Sequence, residues 1–190
     1  MTTFGIELEF TGITRRKAAE VIKAYLHSNE RIASHVLGLV VYDQRGKEWK
    51  LESDSSINAS YECQCELVTP VLTETDLPTL KGIVEELKNA GAISSDEFGC
   101  GLHLHLGSQG HSAQTLRNLV NIMASHEEQL FKEFGVEKAD RTEHFCKKVD
   151  TRFLKALNKT KPQTIEELAD IWYDTQGRIS NRNDRYNSTR

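Results

Sequence analysis

The 190-residue chain is 38% apolar and 27% charged, with a net charge of -4, a balance that allows a buried core and offers no basic field for grasping nucleic acid. No run of about 18 apolar residues marks a membrane span. The opening MTTFGIELEF lacks the basic and apolar regions of a secretory signal, so Cys63, Cys65, Cys100 and Cys146 are expected as reduced thiols in a cytoplasmic protein.

In chain order, Phe4 to Phe10 (FGIELEF) alternates strictly and reads as a half-buried strand. Ala18, Val21, Ile22, Tyr25 and Leu26 recur at helical spacing, with Thr14 placed to cap the helix. VLGLVVYDQRGKEWKLESD reads as a hairpin turning at Asp43 to Lys47, and ASYECQCELVTP as a strand stopped by Pro70. Asp76 is expected to cap a helix with stripe Leu80, Ile83, Val84 and Leu87, ending near Gly91. A further strand, FGCGLHLHLG, precedes a long helix from Ser112 to Gly135 whose stripe runs from Leu116 to Phe134. A shorter helix is expected over Thr142 to Leu157, and Thr164 with Glu167 forms a capping box for a last one through Trp172. The fold class is therefore α+β: a mainly antiparallel sheet covered on one face by helices, in a single domain over residues 1–190. The arginine-rich segment 177–190 reads either as a frayed, mobile terminus or as a piece whose partner strand lies elsewhere.

Parity along the strands locates the chemistry. Glu7 and Glu9 lie on one side of the first strand, about 7 Å apart, and Ile6, Leu8 and Phe10 on the other. In ECQCEL, Glu62, Gln64 and Glu66 share a side; in CGLHLHLG, Gly101, His103, His105 and Gly107 do. Within one sheet the apolar sides would face the helices, and the opposite face would gather Glu7, Glu9, Glu62, Glu66, His103 and His105. So many carboxylates together repel one another unless cations intervene. Oxygen-rich ligation with some imidazole suits Mg²⁺ or Mn²⁺. A zinc site from Cys63, Cys65, Cys100 and His103 is the less favoured alternative, because regular strands put the cysteines on the leucine side. The glycines beside His103 and His105 imply that something approaches the backbone closely there.

Four pieces in register resemble the amidoligases of the carboxylate–amine ligase superfamily, which includes glutamine synthetase and glutamate–cysteine ligase. GIELEF resembles their G-x-E-x-E strand, and WKLESDSSI (Trp49 to Ile57) their W-x-x-x-x-D-x-S element. CELVTPVL is similar to E-[LI]-V-[ST]-P-x-L, and GLHLHLG to G-x-H-x-H. The resemblance covers residues 4 to 107 and thins to Arg141, Phe145 and Cys146 beyond. It implies ATP-dependent joining of a carboxylate to an amine, the substrates being small molecules or peptides, while the charge and the apolar runs noted above give no expectation of a nucleic-acid or membrane partner. It also implies Glu7, Glu9, Glu66 and His103 as metal ligands, with His103 and His105 beside the ATP phosphates. Asp54 and Ser55 match an element beside the acceptor substrate, with Trp49 as a pocket wall or core filler. Asp54 or a sheet glutamate such as Glu66 is expected to take the amine's proton, and Arg141, Lys147, Arg178, Arg182 or Arg185 to meet a phosphate. Family members usually continue with an E-[FL]-R strand, which the 190 residues do not contain.

Two other classes compete. One is a mononuclear metal-dependent oxidoreductase or hydrolase using His103, His105 and a Glu as a facial triad. The other is a ligase-like binding module without turnover.

Overall fold

The computed structural model describes residues 2–135 and 147–175. The chain divides into two compact units, residues 1–107 and 108–190. The first is a sheet with two helices; the described part of the second is helical.

The sheet has six strands, all paired antiparallel, in the order β2-β3-β4-β5-β1-β6. They are β1 (Phe4–Phe10), β2 (Ala33–His35), β3 (Gly38–Tyr42), β4 (Glu48–Glu52), β5 (Cys65–Val68) and β6 (Leu102–Leu106). β3 and β4 form the expected hairpin. Asp43 closes its turn by accepting from the backbone N–H groups of Arg45 and Lys47, and Gly46 takes the left-handed conformation the turn requires. The short β2 was not legible in the sequence.

Helix α1 (Arg15–Tyr25) is capped by the Thr14 hydroxyl, which accepts from the Lys17 N–H at 3.1 Å. Helix α2 (Leu77–Asn89) follows Asp76, whose carboxylate accepts from Thr73 N–H and binds Arg45, rather than capping α2 directly. The two helices meet at Gly82, where a Cβ would collide with the Tyr25 ring. α1 lies against β3 and β4. Between them sits a core of Phe10, Ala18, Ile22, Trp49, Leu51, Leu67 and Ile83, each at most 2% exposed.

Two expectations need correction. The strand around ECQCEL begins only at Cys65, because residues Tyr61–Cys63 form a 3-10 turn. The Arg15 guanidinium gathers the carbonyls of Tyr61 and Gln64 and stacks on the Tyr61 ring, which pulls the chain out of the ladder. Glu62 therefore leaves the shared face. The leucines of β6 were expected in the core, yet Leu102, Leu104 and Leu106 are 58–60% exposed. β6 is the edge farthest from the strands that α1 covers.

In the second unit, α3 (Ala113–Glu133) begins at a capping box formed by Ser112 and Thr115. Its expected apolar stripe leaves Leu119, Met123 and Phe134 exposed. Asn121 of α3 exchanges amide hydrogen bonds with Asn158 of α4 (Thr151–Thr160) at 3.0 and 2.7 Å. Of the shorter helix expected from Thr142, residues 142–146 lie outside the described residues, and α4 starts after Asp150, which caps it. Phe153 meets Trp172 of α5 (Ile165–Thr175) edge to face at 4.8 Å. Thr164 caps α5 as expected, but Glu167 reaches back to the Gln163 N–H rather than to Thr164. No helix among the described residues is long and apolar enough to cross a membrane.

Candidate metal centre

The register of the ladder carries the parity argument across strands, because directly paired residues share a face. Glu9 pairs with Glu66, and Glu66 with Glu52; Glu7 pairs with Val68 and His103, and Gly5 with His105. The face opposite the helices is thus a grid with carboxylates on β4, β5 and β1 and imidazoles on the edge strand β6.

Among the described residues, two groups of side chains have ligand atoms within 4.8 Å of one another: Glu7, Glu66 and His103, and Glu9, Asp54 and Glu66. Glu66 belongs to both. The first group is tied together by Glu7, which lies between the histidines, Oε2 at 2.9 Å from His103 Nδ1 and Oε1 at 3.1 Å from His105 Nε2. The second is anchored by Glu9, buried to 5% exposure, whose Oε2 accepts from the Gly101 N–H at 2.6 Å. Asp54 arrives on the loop after β4. Its Oδ1 accepts from the Ser56 N–H at 2.7 Å, and the Gln64 amide donates to the carbonyls of Ile57 and Ala59, folding that loop onto β5. Ser55 is exposed in the same turn.

The electrostatics record the crowding. Burial, then the charges of Glu7, Asp54, Glu9 and Glu52, push the Glu66 carboxyl up to about 7. For Glu7, burial acts upward, but hydrogen bonds with His103 and His105 outweigh it and hold the carboxyl below its ordinary value. The hydrogen bond to Glu7 raises the proton affinity of His103. Four carboxylates and an imidazole that converge at this spacing fit the oxygen-rich preference of Mg²⁺ or Mn²⁺. Neither group contains both histidines, as the facial-triad alternative requires, and neither contains a cysteine. Cys65 is instead a core residue, its Sγ 3.4 Å from the Ile13 carbonyl and its thiol pushed up to about 12 mainly by burial.

One expected site residue falls elsewhere in the first unit. Trp49 is fully buried on the helix side of β4, one residue out of phase with the site face, so it fills the core and is no pocket wall. Lys147 is exposed in the second unit, ahead of α4. Arg141, Phe145, Cys146, Arg178, Arg182 and Arg185 lie outside the described residues. Of the two glycines expected to admit a close approach, Gly107 does so for the chain itself: a Cβ there would collide with Thr3, whose carbonyl accepts from the Gly107 N–H.

Two site-face residues went unremarked in the sequence. Glu52 stands beside Glu66 in the ladder and pairs with His35 at 3.5 Å, while Lys50 stands beside Val68. EWKLE alternates as plainly as the other strands, and the same parity test applied to it reveals both.

An antiparallel sheet with helices on one face and converging carboxylates and imidazoles on the other defines an α+β protein with a candidate divalent-metal centre. A family model described as "Putative amidoligase enzyme" matches residues 1–190, the whole chain. The chain belongs to that family, whose description is that of a ligase. No curated protein and no solved structure matches it.

Proposed function

We propose that the chain is a ligase that uses ATP with Mg²⁺ or Mn²⁺ to join a carboxylate to an amine through an acyl phosphate. The observation that carries this reading is the sharing of Glu66 between the Glu7/His103 group and the Glu9/Asp54 group. That arrangement suits two neighbouring cations, whereas one redox metal needs only one such group.

A carboxylate resists attack by an amine because oxide is a poor leaving group. Phosphorylation by ATP supplies a better one, and the protein's share of that step is positioning and charge neutralisation. When bound, divalent ions neutralise the triphosphate and polarise the phosphoryl group being transferred. Glu7, Glu66 and His103 would hold one ion, and Glu9 and Glu66 the other, with Asp54 beside it. Strands keep these donors stiffly placed, and the Gly101 N–H fixes Glu9. His105 would orient Glu7 through the contact of its Nε2 with Oε1 at 3.1 Å, as outer partners of metal ligands do. Asp54 is the member on a loop rather than a strand, and it is assigned as the group that takes the amine's proton. Substrates are a small-molecule or peptide carboxylate and an amine.

The test is release of ADP and phosphate from Mg·ATP across a panel of amino acids, peptides and amines, with calorimetry of nucleotide binding alongside. Glu7→Gln is expected to abolish Mg-nucleotide binding while the circular dichroism stays that of the unaltered chain. Tight binding retained by that variant contradicts the assignment, and metal binding without any nucleotide binding contradicts the ligase reading as a whole. Asp54→Asn separates two roles. Lost turnover with Mn²⁺ affinity kept marks a proton acceptor, and lost Mn²⁺ affinity marks a ligand.

A further inference from the structure

The six strands contain a single lysine and no arginine. That lysine, Lys50, is on the site face. It pairs with Val68 across β4 and β5, and Val68 pairs with Glu7 across β5 and β1, so all three project to one side in one row. Two strand spacings separate Lys50 from Glu7, about 10 Å. The residue between them is a short valine, which leaves the space above it open.

Three other cations of this unit have partners, Lys47 among them although it lines the same hollow as Lys50. Lys47 donates to the Val71 carbonyl at 2.9 Å and faces Asp76. Arg45 is held by Asp43 and Asp76, and Arg15 by backbone carbonyls. Among the described residues, the partner of the Lys50 ammonium is Glu48, at 3.8 Å, half-exposed and on the same strand. Two hollows flank the Val68–Val71 segment. One of about 290 Å³ is lined by Glu7, Gly5 and His105, and one of about 430 Å³ by Lys47, Glu48 and Lys50. Both include Val68 and Thr69 in their walls. The face therefore offers cation ligands on one side of Val68 and a flexible point charge on the other.

We propose that Lys50 is an anion-binding residue of this site, its ammonium meeting the phosphoryl oxygens of a nucleotide triphosphate that crosses Val68 from the Glu7/His103 side. The inference rests on the nucleotide-dependent reading above. A lysine suits the task because its ammonium sits on a four-carbon stem and can follow a phosphoryl group as charge moves during transfer. Glu48 then serves as the resting partner that the incoming anion displaces.

The experiment is calorimetric titration of the unaltered chain, Lys50→Gln and Lys50→Arg with Mn²⁺ alone, then with ATP and with inorganic triphosphate at saturating Mn²⁺. The expected result is unchanged Mn²⁺ affinity in both variants. Lys50→Gln should lose about 10–100-fold in affinity for ATP and for inorganic triphosphate alike, and Lys50→Arg should recover most of it. Equal nucleotide affinity in the unaltered chain and Lys50→Gln overturns the role of Lys50 and leaves the ligase reading standing. Lost Mn²⁺ affinity in Lys50→Gln also overturns it, because the lysine would then act through the fold. Absence of nucleotide binding by the unaltered chain overturns the ligase reading and this inference with it.

Discussion

The two faces of the sheet are made by the same strands and differ by one residue of phase, yet they are held to opposite physical rules. On the helix side, Trp49, Leu51, Leu67 and Cys65 are each fully buried, and their removal from water supplies the favourable energy of folding. On the other side, Glu7, Glu9, Glu52 and Glu66 stand in neighbouring register positions where like charges oppose folding. One face stabilises the unit and the other costs it stability, which is the pattern expected where a surface is kept for binding rather than for the fold.

The largest effect that tests this contrast is on the buried side. Trp49→Ala is expected to destabilise the chain by about 3–5 kcal/mol, read by urea denaturation, because the cavity lies at the centre of the first unit's core. A loss below about 1 kcal/mol would return Trp49 to the role of a pocket wall.

A smaller effect of opposite sign belongs to the site face. Glu66 titrates near 7 in the folded chain against an ordinary 4.5. Between those values the folded state holds a proton that the unfolded state has released, so the stability of the metal-free chain falls as pH rises from about 4.5 to about 7. The raised proton affinity of His103 acts in the same direction, its contribution being full below 6.5 and lost as pH climbs through the higher folded value. Glu7, held low, contributes stability that is lost only as pH falls below 4.5. Thermal melts in chelator should therefore show a lower melting temperature at pH 8 than at pH 5.5. Glu66→Gln should flatten that slope and raise the pH 8 value by about 2–4 °C. A metal-free stability that rises over this window in the unaltered chain would show that the carboxylates are not in conflict.

Much of this contrast was legible before any coordinates. Strict alternation in FGIELEF and LHLHL set the faces of β1 and β6, and Thr14, Ser112 and Thr164 announced their helices through hydroxyl caps. What could not be read was anything decided by a distant partner. Cysteine and glutamate alternate in ECQCEL as in a strand, but Arg15, about fifty residues earlier in sequence, captures the carbonyls of Tyr61 and Gln64 and breaks the ladder there. Asp54 gave no sign of joining Glu9 and Glu66, because the loop that carries it is folded by the Gln64 amide. The leucines of β6 alternate as core residues do, and only strand order reveals that they lie at the edge away from α1. Glu52 and Lys50 were readable by parity and show that a pattern test must be run on every strand, including one already assigned to a hairpin.

The most direct measurement is a Mn²⁺ titration of the unaltered chain and of Glu66→Gln, followed by electron paramagnetic resonance at pH 7.5. The expected outcome is two bound ions per chain, magnetically coupled through their shared carboxylate, with coupling lost and affinity reduced by a factor on the order of 100 in Glu66→Gln. No specific Mn²⁺ binding, or binding unchanged by that substitution, would contradict the claim that Glu66 joins two cation sites on one face of the sheet.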